Sequence, residues 1–125
     1  MDAEMTLQAL NRMPLHALDL VILENVGNLV CPAEFDVGQD LRLTLLSIPE
    51  GDDKPLKYPL MFTVTDLIGV TKTDVRPAFD FDGEAFVKNV RLVNPSAPVL
   101  FLSSKTGEGI AEMAAAVRER IRKKG

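Results

Sequence analysis

The sequence predicts an α/β fold: a parallel sheet with helices on both faces. Three observations carry this. Short apolar runs of strand length (residues 20–23, 41–48, 67–70 and 99–102) alternate with segments of helical periodicity. Strands rich in Val, Ile and Leu suit a sheet buried on both faces. No repeat, low-complexity run or long linker divides the chain.

Each element has a local reason. Residues 2–13 place Met5, Leu7, Ala9, Leu10 and Met13 at helical spacing, with Asp2 in a capping position. That helix stops before Pro14, because the residue preceding a proline is pushed out of the helical region. Residues 20–23, Leu-Val-Ile-Leu, read as the first strand. Residues 41–48, Leu-Arg-Leu-Thr-Leu-Leu-Ser-Ile, read as the second, closed by the turn-rich Pro49-Glu50-Gly51-Asp52-Asp53. A short helix is expected over 58–65, a third strand over 67–70, a helix over 83–93, a fourth strand over 99–102 and a strongly periodic helix over 109–123.

Composition narrows the class. The 125 residues, 46% hydrophobic and 26% charged, suffice for one domain with a real core. No apolar run approaches the roughly 20 residues that span a bilayer, and the start Met-Asp-Ala-Glu-Met lacks the basic and apolar stretches of a signal peptide. The expected location is the cytoplasm, with no membrane association. A single cysteine, Cys31, excludes an internal disulfide. A net charge of −4 argues against a nucleic-acid partner. The basic end, with Arg118, Arg120, Arg122, Lys123 and Lys124, reads as a helix C-terminus whose cations complement the dipole.

Three segments carry chemistry. In the first, the run from Asp19 delivers Glu24, Asn25, Gly27 and Cys31 to a loop beyond a strand's C-terminal end, the edge where open α/β sheets bind ligands. Cys31, before Pro32, is either a small packed residue or a thiol in an exposed turn. His16, in a connecting segment after Pro14, reads as a solvent-facing or capping residue.

The second segment, Leu67-Ile68-Gly69-Val70-Thr71-Lys72-Thr73-Asp74, resembles the [N/T]KxD element with which GTPases read their base. Asp74 can accept hydrogen bonds from guanine's ring N–H and exocyclic amine together, a pair that adenine does not offer. A charged acceptor of this kind contributes about 1.5–3 kcal/mol. Lys72 would lay its aliphatic stem along base and ribose, and Thr71, in place of the commoner Asn, can orient the loop through its hydroxyl. A bare Lys-x-Asp also describes an ordinary charged loop, so context decides.

The third segment, Phe101-Leu102-Ser103-Ser104-Lys105-Thr106-Gly107-Glu108-Gly109, is similar to the SAK loop of GTPases, with Ser104 in the alanine position. Backbone N–H groups there would meet guanine O6. It also reads as a helix start, with Ser103 or Thr106 as N-cap and Glu108 in the first turn. The second and third motifs stand about 30 residues apart, the spacing of a βαβ unit that brings two strand ends together.

Taken together, Glu24-Asn-Val-Gly-Asn-Leu-Val-Cys-Pro32, Glu50-Gly-Asp-Asp-Lys-Pro-Leu-Lys-Tyr-Pro59, Thr71-Lys-Thr-Asp74 and Ser103-Ser-Lys-Thr-Gly-Glu-Gly109 resemble the HypB-type hydrogenase and urease nickel-incorporation GTPases over essentially the whole chain. The resemblance implies a P-loop-NTPase-like fold of the SIMIBI type. It further implies a cytosolic metallochaperone that hydrolyses GTP, dimerises on binding nucleotide, and helps insert nickel into the large subunit of [NiFe] hydrogenase together with a small zinc-containing nickel-binding partner. Glu24 and Gly27 match the switch II element, with Glu24 aiding Mg²⁺ or its water and Gly27 offering its N–H to the γ-phosphate. Thr71, Lys72, Asp74, Ser103, Ser104 and Lys105 match the base-binding residues for GTP or GDP. Cys31 matches a thiolate of the family's Ni²⁺ or Zn²⁺ site.

One signature is missing from these 125 residues. A P-loop reads Gly-x-x-x-x-Gly-Lys-[Ser/Thr], and although Lys72 and Lys105 each precede a threonine, neither follows a glycine. In the family, the first strand, the P-loop, switch I and a Cys-His pair used in metal binding precede the position matching Met1. The expectation is therefore an N-terminally truncated G domain over 1–125 with an incomplete metal site. The alternative is a real short product that serves as a non-enzymatic interaction module in hydrogenase maturation.

Overall fold

The structure, a computed structural model, describes residues 3–24 and 39–124. They fall in two compact units, Met1–Gln39 and Asp40–Gly125.

In the first unit, α1 (Ala3–Asn11) follows the apolar spacing expected of it. Two further turns, Arg12 N–H to Ala9 O at 3.2 Å and Met13 N–H to Leu10 O at 3.0 Å, close it before Pro14. His16 lies exposed in the short 3-10 turn Leu15–Ala17. Residues 20–23 correct an expectation: they form no strand. Their composition suits a strand, but a strand exists only where a neighbour completes its hydrogen-bond ladder. Among the described residues no strand pairs with this run, and its side chains stand exposed, Ile22 by 79%.

The second unit is α/β. Its elements are β1 (Leu43–Ser47), α2 (Lys54–Lys57), α3 (Pro59–Thr63), β2 (Leu67–Thr71), α4 (Gly83–Val93), β3 (Val99–Phe101) and α5 (Ile110–Lys124). Among the described residues the three strands form one parallel sheet in the order β1-β2-β3. The register sets Leu43 against Leu67 and Leu45 against Gly69, then Ile68 against Val99 and Val70 against Phe101.

Both faces of β2 are covered, as a central parallel strand requires. Ile68 and Val70, on the side shared with Leu46, are fully buried, as are Phe62, Phe86 and Val90. Phe86 meets Phe62 edge-on at 6.1 Å and Phe81 at 5.5 Å between ring centroids. On the opposite side α5 approaches closely. A Cβ added at Gly69 would stand 3.0 Å from Met113 Cε, 2.8 Å from Leu45 Cδ2 and 2.9 Å from Leu102 Cδ1, so only glycine lets these three side chains close over the strand.

The helix expected over 58–65 is divided and starts earlier. Pro55 and Pro59 each stand in a first helical turn, where a missing N–H costs nothing. Tyr58, preceding Pro59, leaves the helical region with φ −128°, which separates α2 from α3.

Asn94, 5% exposed, fixes how α4 delivers the chain to β3. Its Nδ2 donates to the carbonyls of Phe62 and Thr65, each at 2.9 Å. Its Oδ1 accepts from the N–H groups of Ser96 at 3.2 Å and Ala97 at 3.0 Å. A buried amide satisfied on both ends thus ties the end of α3, the approach to β2 and the entry of β3 into one network. Among the described residues no helix is long and apolar enough to cross a membrane.

Candidate functional site

β2 and β3 are adjacent and parallel, so their C-terminal ends open on one edge of the sheet, and the second and third motifs follow them directly. Thr71 ends β2, half-buried. Lys72 then takes a left-handed backbone, φ 60° and ψ 39°, a conformation that costs a residue with a Cβ about 1–3 kcal/mol. It is the only non-glycine with positive φ among the described residues. The reversal lets Thr73–Ala78 wind as a 3-10 helix with Asp74 in its first turn, carboxylate exposed. Thr73 N–H donates to Leu102 O at 3.1 Å and holds this turn against the strand beside it. Among the described residues the buried Thr73 hydroxyl has no hydrogen-bond partner.

From β3 the pairing runs one residue further, with Leu102 N–H donating to Val70 O at 2.7 Å. Ser103 follows, fully buried. Its Oγ donates to Asp74 Oδ1 at 2.8 Å and accepts from Thr106 N–H at 3.2 Å. Its N–H donates to Glu108 O at 2.9 Å, and its carbonyl accepts from Gly107 N–H at 2.8 Å. Residues 103–108 are therefore a closed loop. Gly107 at φ 88° and Gly109 at φ 72° make its turns. At Gly109 a Cβ would run into the Phe101 carbonyl oxygen.

Ser103 caps the 103–106 turn through its oxygen, though not the helix, and its proton goes to Asp74. The helix itself starts later, at Ile110. Ser104 and Lys105 stand exposed at the loop's tip, and among the described residues no hydrogen bond engages their N–H groups.

The arrangement suits a flat ligand with adjacent donors. One Asp74 oxygen is fixed by Ser103 and the other has no hydrogen bond among the described residues, while the Ser104 and Lys105 N–H groups rise from the neighbouring strand end. Carboxylate and amides together present acceptors and donors of the kinds that a guanine edge needs. Lys72 and Lys105 are both exposed beside them.

The structure brings Thr71, Lys72, Asp74, Ser103, Ser104 and Lys105 to one sheet edge. Glu24 is described and exposed, in the first unit. Gly27 and Cys31 lie outside the described residues. Among the described residues no three His, Cys, Asp or Glu side chains converge in a way that could hold a metal. The Glu50–Pro59 segment is tied to α4: Asp52 Oδ2 accepts from Asp82 N–H at 2.7 Å, and Asn89 Nδ2 donates to Asp52 O at 3.3 Å. Sequence reasoning missed Arg76 and Phe101, which flank the two motifs and stack on each other, the Arg76 guanidinium carbon 5.6 Å from the Phe101 centroid. An arginine two residues past a Lys-x-Asp carries no signal by itself.

No family model matches the chain. It is 48% identical over 115 residues to the hydrogenase maturation factor HypB of Azotobacter vinelandii, an alignment covering 92% of this chain and 38% of that protein. Two solved structures superpose on it. HypB from Helicobacter pylori in complex with nickel matches at a TM-score of 0.93 and 34% identity, over 99% of this chain and 60% of that one. HypB from Archaeoglobus fulgidus matches at 0.89 and 36%, over 97% and 59%. The chain thus spans about two fifths of the curated relative and three fifths of each solved chain.

Proposed function

The chain belongs to the HypB family of hydrogenase maturation factors, and from that premise we propose that residues 71–74 and 103–109 are the guanine-recognition wall of a G domain engaged in GTP-dependent nickel delivery to [NiFe] hydrogenase. The observation that carries the reading is the Ser103–Asp74 hydrogen bond, which joins the two motifs where β2 and β3 end.

In this reading Asp74 accepts guanine's ring N–H and amine, and Lys72 covers the base with its methylene stem. Thr71 orients the turn, and the Ser104 and Lys105 N–H groups meet O6. Glu24 and Gly27 serve the switch II element, toward Mg²⁺ and the γ-phosphate. Cys31 supplies one thiolate toward Ni²⁺ or Zn²⁺, with nickel as cargo. The described residues do not by themselves fit a metal ion. Residues 1–125 contain no Gly-x-x-x-x-Gly-Lys-[Ser/Thr], so the reading assigns them base recognition and the switch II contacts but no phosphate-cradling loop. The setting is the cytoplasm, and the partners are a small zinc-containing nickel-binding protein, the hydrogenase large subunit and a second copy on nucleotide binding.

Titration of the isotope-labelled chain with GDP and ADP, followed by NMR, tests this. GDP should bind at least about 10-fold more tightly, the factor that a charged acceptor provides, and should move the amides of residues 71–74 and 103–107. Equal affinity for the two would contradict the reading.

A further inference from the structure

We propose that Arg76, packed over the Phe101 ring and beside Gly83, is a positioning residue that holds the base-reading turn in place and so sharpens the choice of guanine at Asp74; this rests on reading Asp74 as the guanine acceptor.

The turn needs holding. Asp74 rides on a 3-10 helix, whose hydrogen bonds have poorer geometry than those of an α-helix. The helix is entered through the left-handed Lys72 and contains Pro77, which has no N–H to give. At its start Val75 N–H donates to Lys72 O at 3.1 Å and Thr73 N–H to Leu102 O at 3.1 Å, and at its far end Phe79 N–H donates to Arg76 O at 3.0 Å.

Two side-chain tethers make up the difference, and they are spaced alike on both partners. Ser103 grips Asp74, and Phe101, two residues earlier, grips Arg76, two residues later. The same strand end therefore holds the turn through two side chains in addition to the Thr73–Leu102 backbone bond.

Gly83 completes the seat. Its φ is not positive, so its backbone does not require glycine. What the missing side chain provides is room: a Cβ there would stand 2.5 Å from Arg76 Nη2 and 3.5 Å from Phe101 Cζ. A planar guanidinium can lie over the ring with one nitrogen beside the bare Cα, whereas a lysine ammonium is a compact point charge without that flat face.

The test uses the full chain with GDP and IDP. These differ only in the exocyclic amine, so the ratio of their dissociation constants isolates the second hydrogen bond to Asp74. The wild-type ratio should be about 10 or more. Arg76→Ala should lower it about 2- to 5-fold, the factor that an exposed cation–π contact supports. Phe101→Leu should do the same, the double variant should fall no further, and Arg76→Lys should recover part of the loss. Gly83→Ala, a favourable change for helix propensity, should also lower the ratio by displacing the guanidinium. A wild-type ratio above 10 that is unchanged in Arg76→Ala and Gly83→Ala would overturn the role of Arg76 alone. A wild-type chain that distinguishes GDP from neither IDP nor ADP would overturn the reading of Asp74, and this proposal with it.

Discussion

Ser103 and Asp74 are joined side chain to side chain at 2.8 Å across 29 residues of sequence, the serine fully buried and the aspartate exposed. The serine is a fixed peg, and in the proposed reading the aspartate is the working group. Because Ser103 Oγ also accepts from Thr106 N–H, one hydroxyl sets the geometry of both loops.

Removing that hydroxyl should therefore cost more in recognition than in stability. In Ser103→Ala, Asp74 and the Thr106 N–H both lie where water can replace the lost partner, so the expected loss is about 1 kcal/mol, the low end for a side-chain hydrogen bond. Urea unfolding measures that loss. The same variant should bind GDP more weakly, with the amides of residues 104–107 shifted even without ligand.

Gly109 should be far less tolerant. Its positive φ and the Phe101 carbonyl facing its Cα leave no place for a methyl group. Gly109→Ala is expected to destabilise by about 2 kcal/mol or more, combining backbone strain with a backbone clash. Gly107→Ala, with nothing near its Cα, carries the φ penalty alone and should lose less in the same unfolding experiment.

Much of this was legible in the sequence, and the failures share a cause. β2, α4 and α5 fall where residues 67–70, 83–93 and 109–123 were expected, because apolar periodicity and flanking turn residues are local signals. The Thr71–Asp74 and Ser103–Gly109 motifs likewise sit at the strand ends their spacing implies. Residues 20–23 misled because a strand's partner is not written in its own composition. The division at Tyr58 has a local signal in Pro59, since the residue before a proline leaves the helical region. Asn94, Arg76 and Phe101 could not be found locally: Asn94 meets Phe62 across 32 residues, and Arg76 meets Phe101 across a whole βαβ crossover.

Acid should weaken a small local contact in α2. Lys57 Nζ lies 3.1 Å from Asp53 Oδ2. Its hydrogen bond, the largest influence, outweighs the opposing desolvation and, with a smaller contribution from its charge, holds the Asp53 carboxyl below the ordinary aspartate value of 3.8. A depressed carboxyl stabilises the fold above its unfolded pKa, and that contribution fades as pH falls from 3.8 through the lower folded value. An NMR titration of Asp53 should show the depression, and Lys57→Met should raise it back toward the ordinary value.

Phosphate chemistry should be absent from the purified 125 residues. Catalysis of phosphoryl transfer rests on positioning and electrostatic stabilisation by a phosphate-cradling loop, and no such signature occurs in this sequence. A phosphate-release assay should show GTP hydrolysis no faster than buffer. Turnover abolished by Glu24→Gln would show instead that the chain holds phosphates by other residues.

The central claim is that the Asp74 carboxylate chooses the base, and exchanging its chemistry at constant shape tests it most directly. Xanthine carries a carbonyl where guanine carries its amine, so the Asp74→Asn amide can donate where the carboxylate could only accept. Dissociation constants for GDP and xanthosine diphosphate should favour GDP by about 10-fold or more in the wild-type chain, and the preference should reverse in Asp74→Asn. An unchanged preference for GDP in Asp74→Asn would contradict the account.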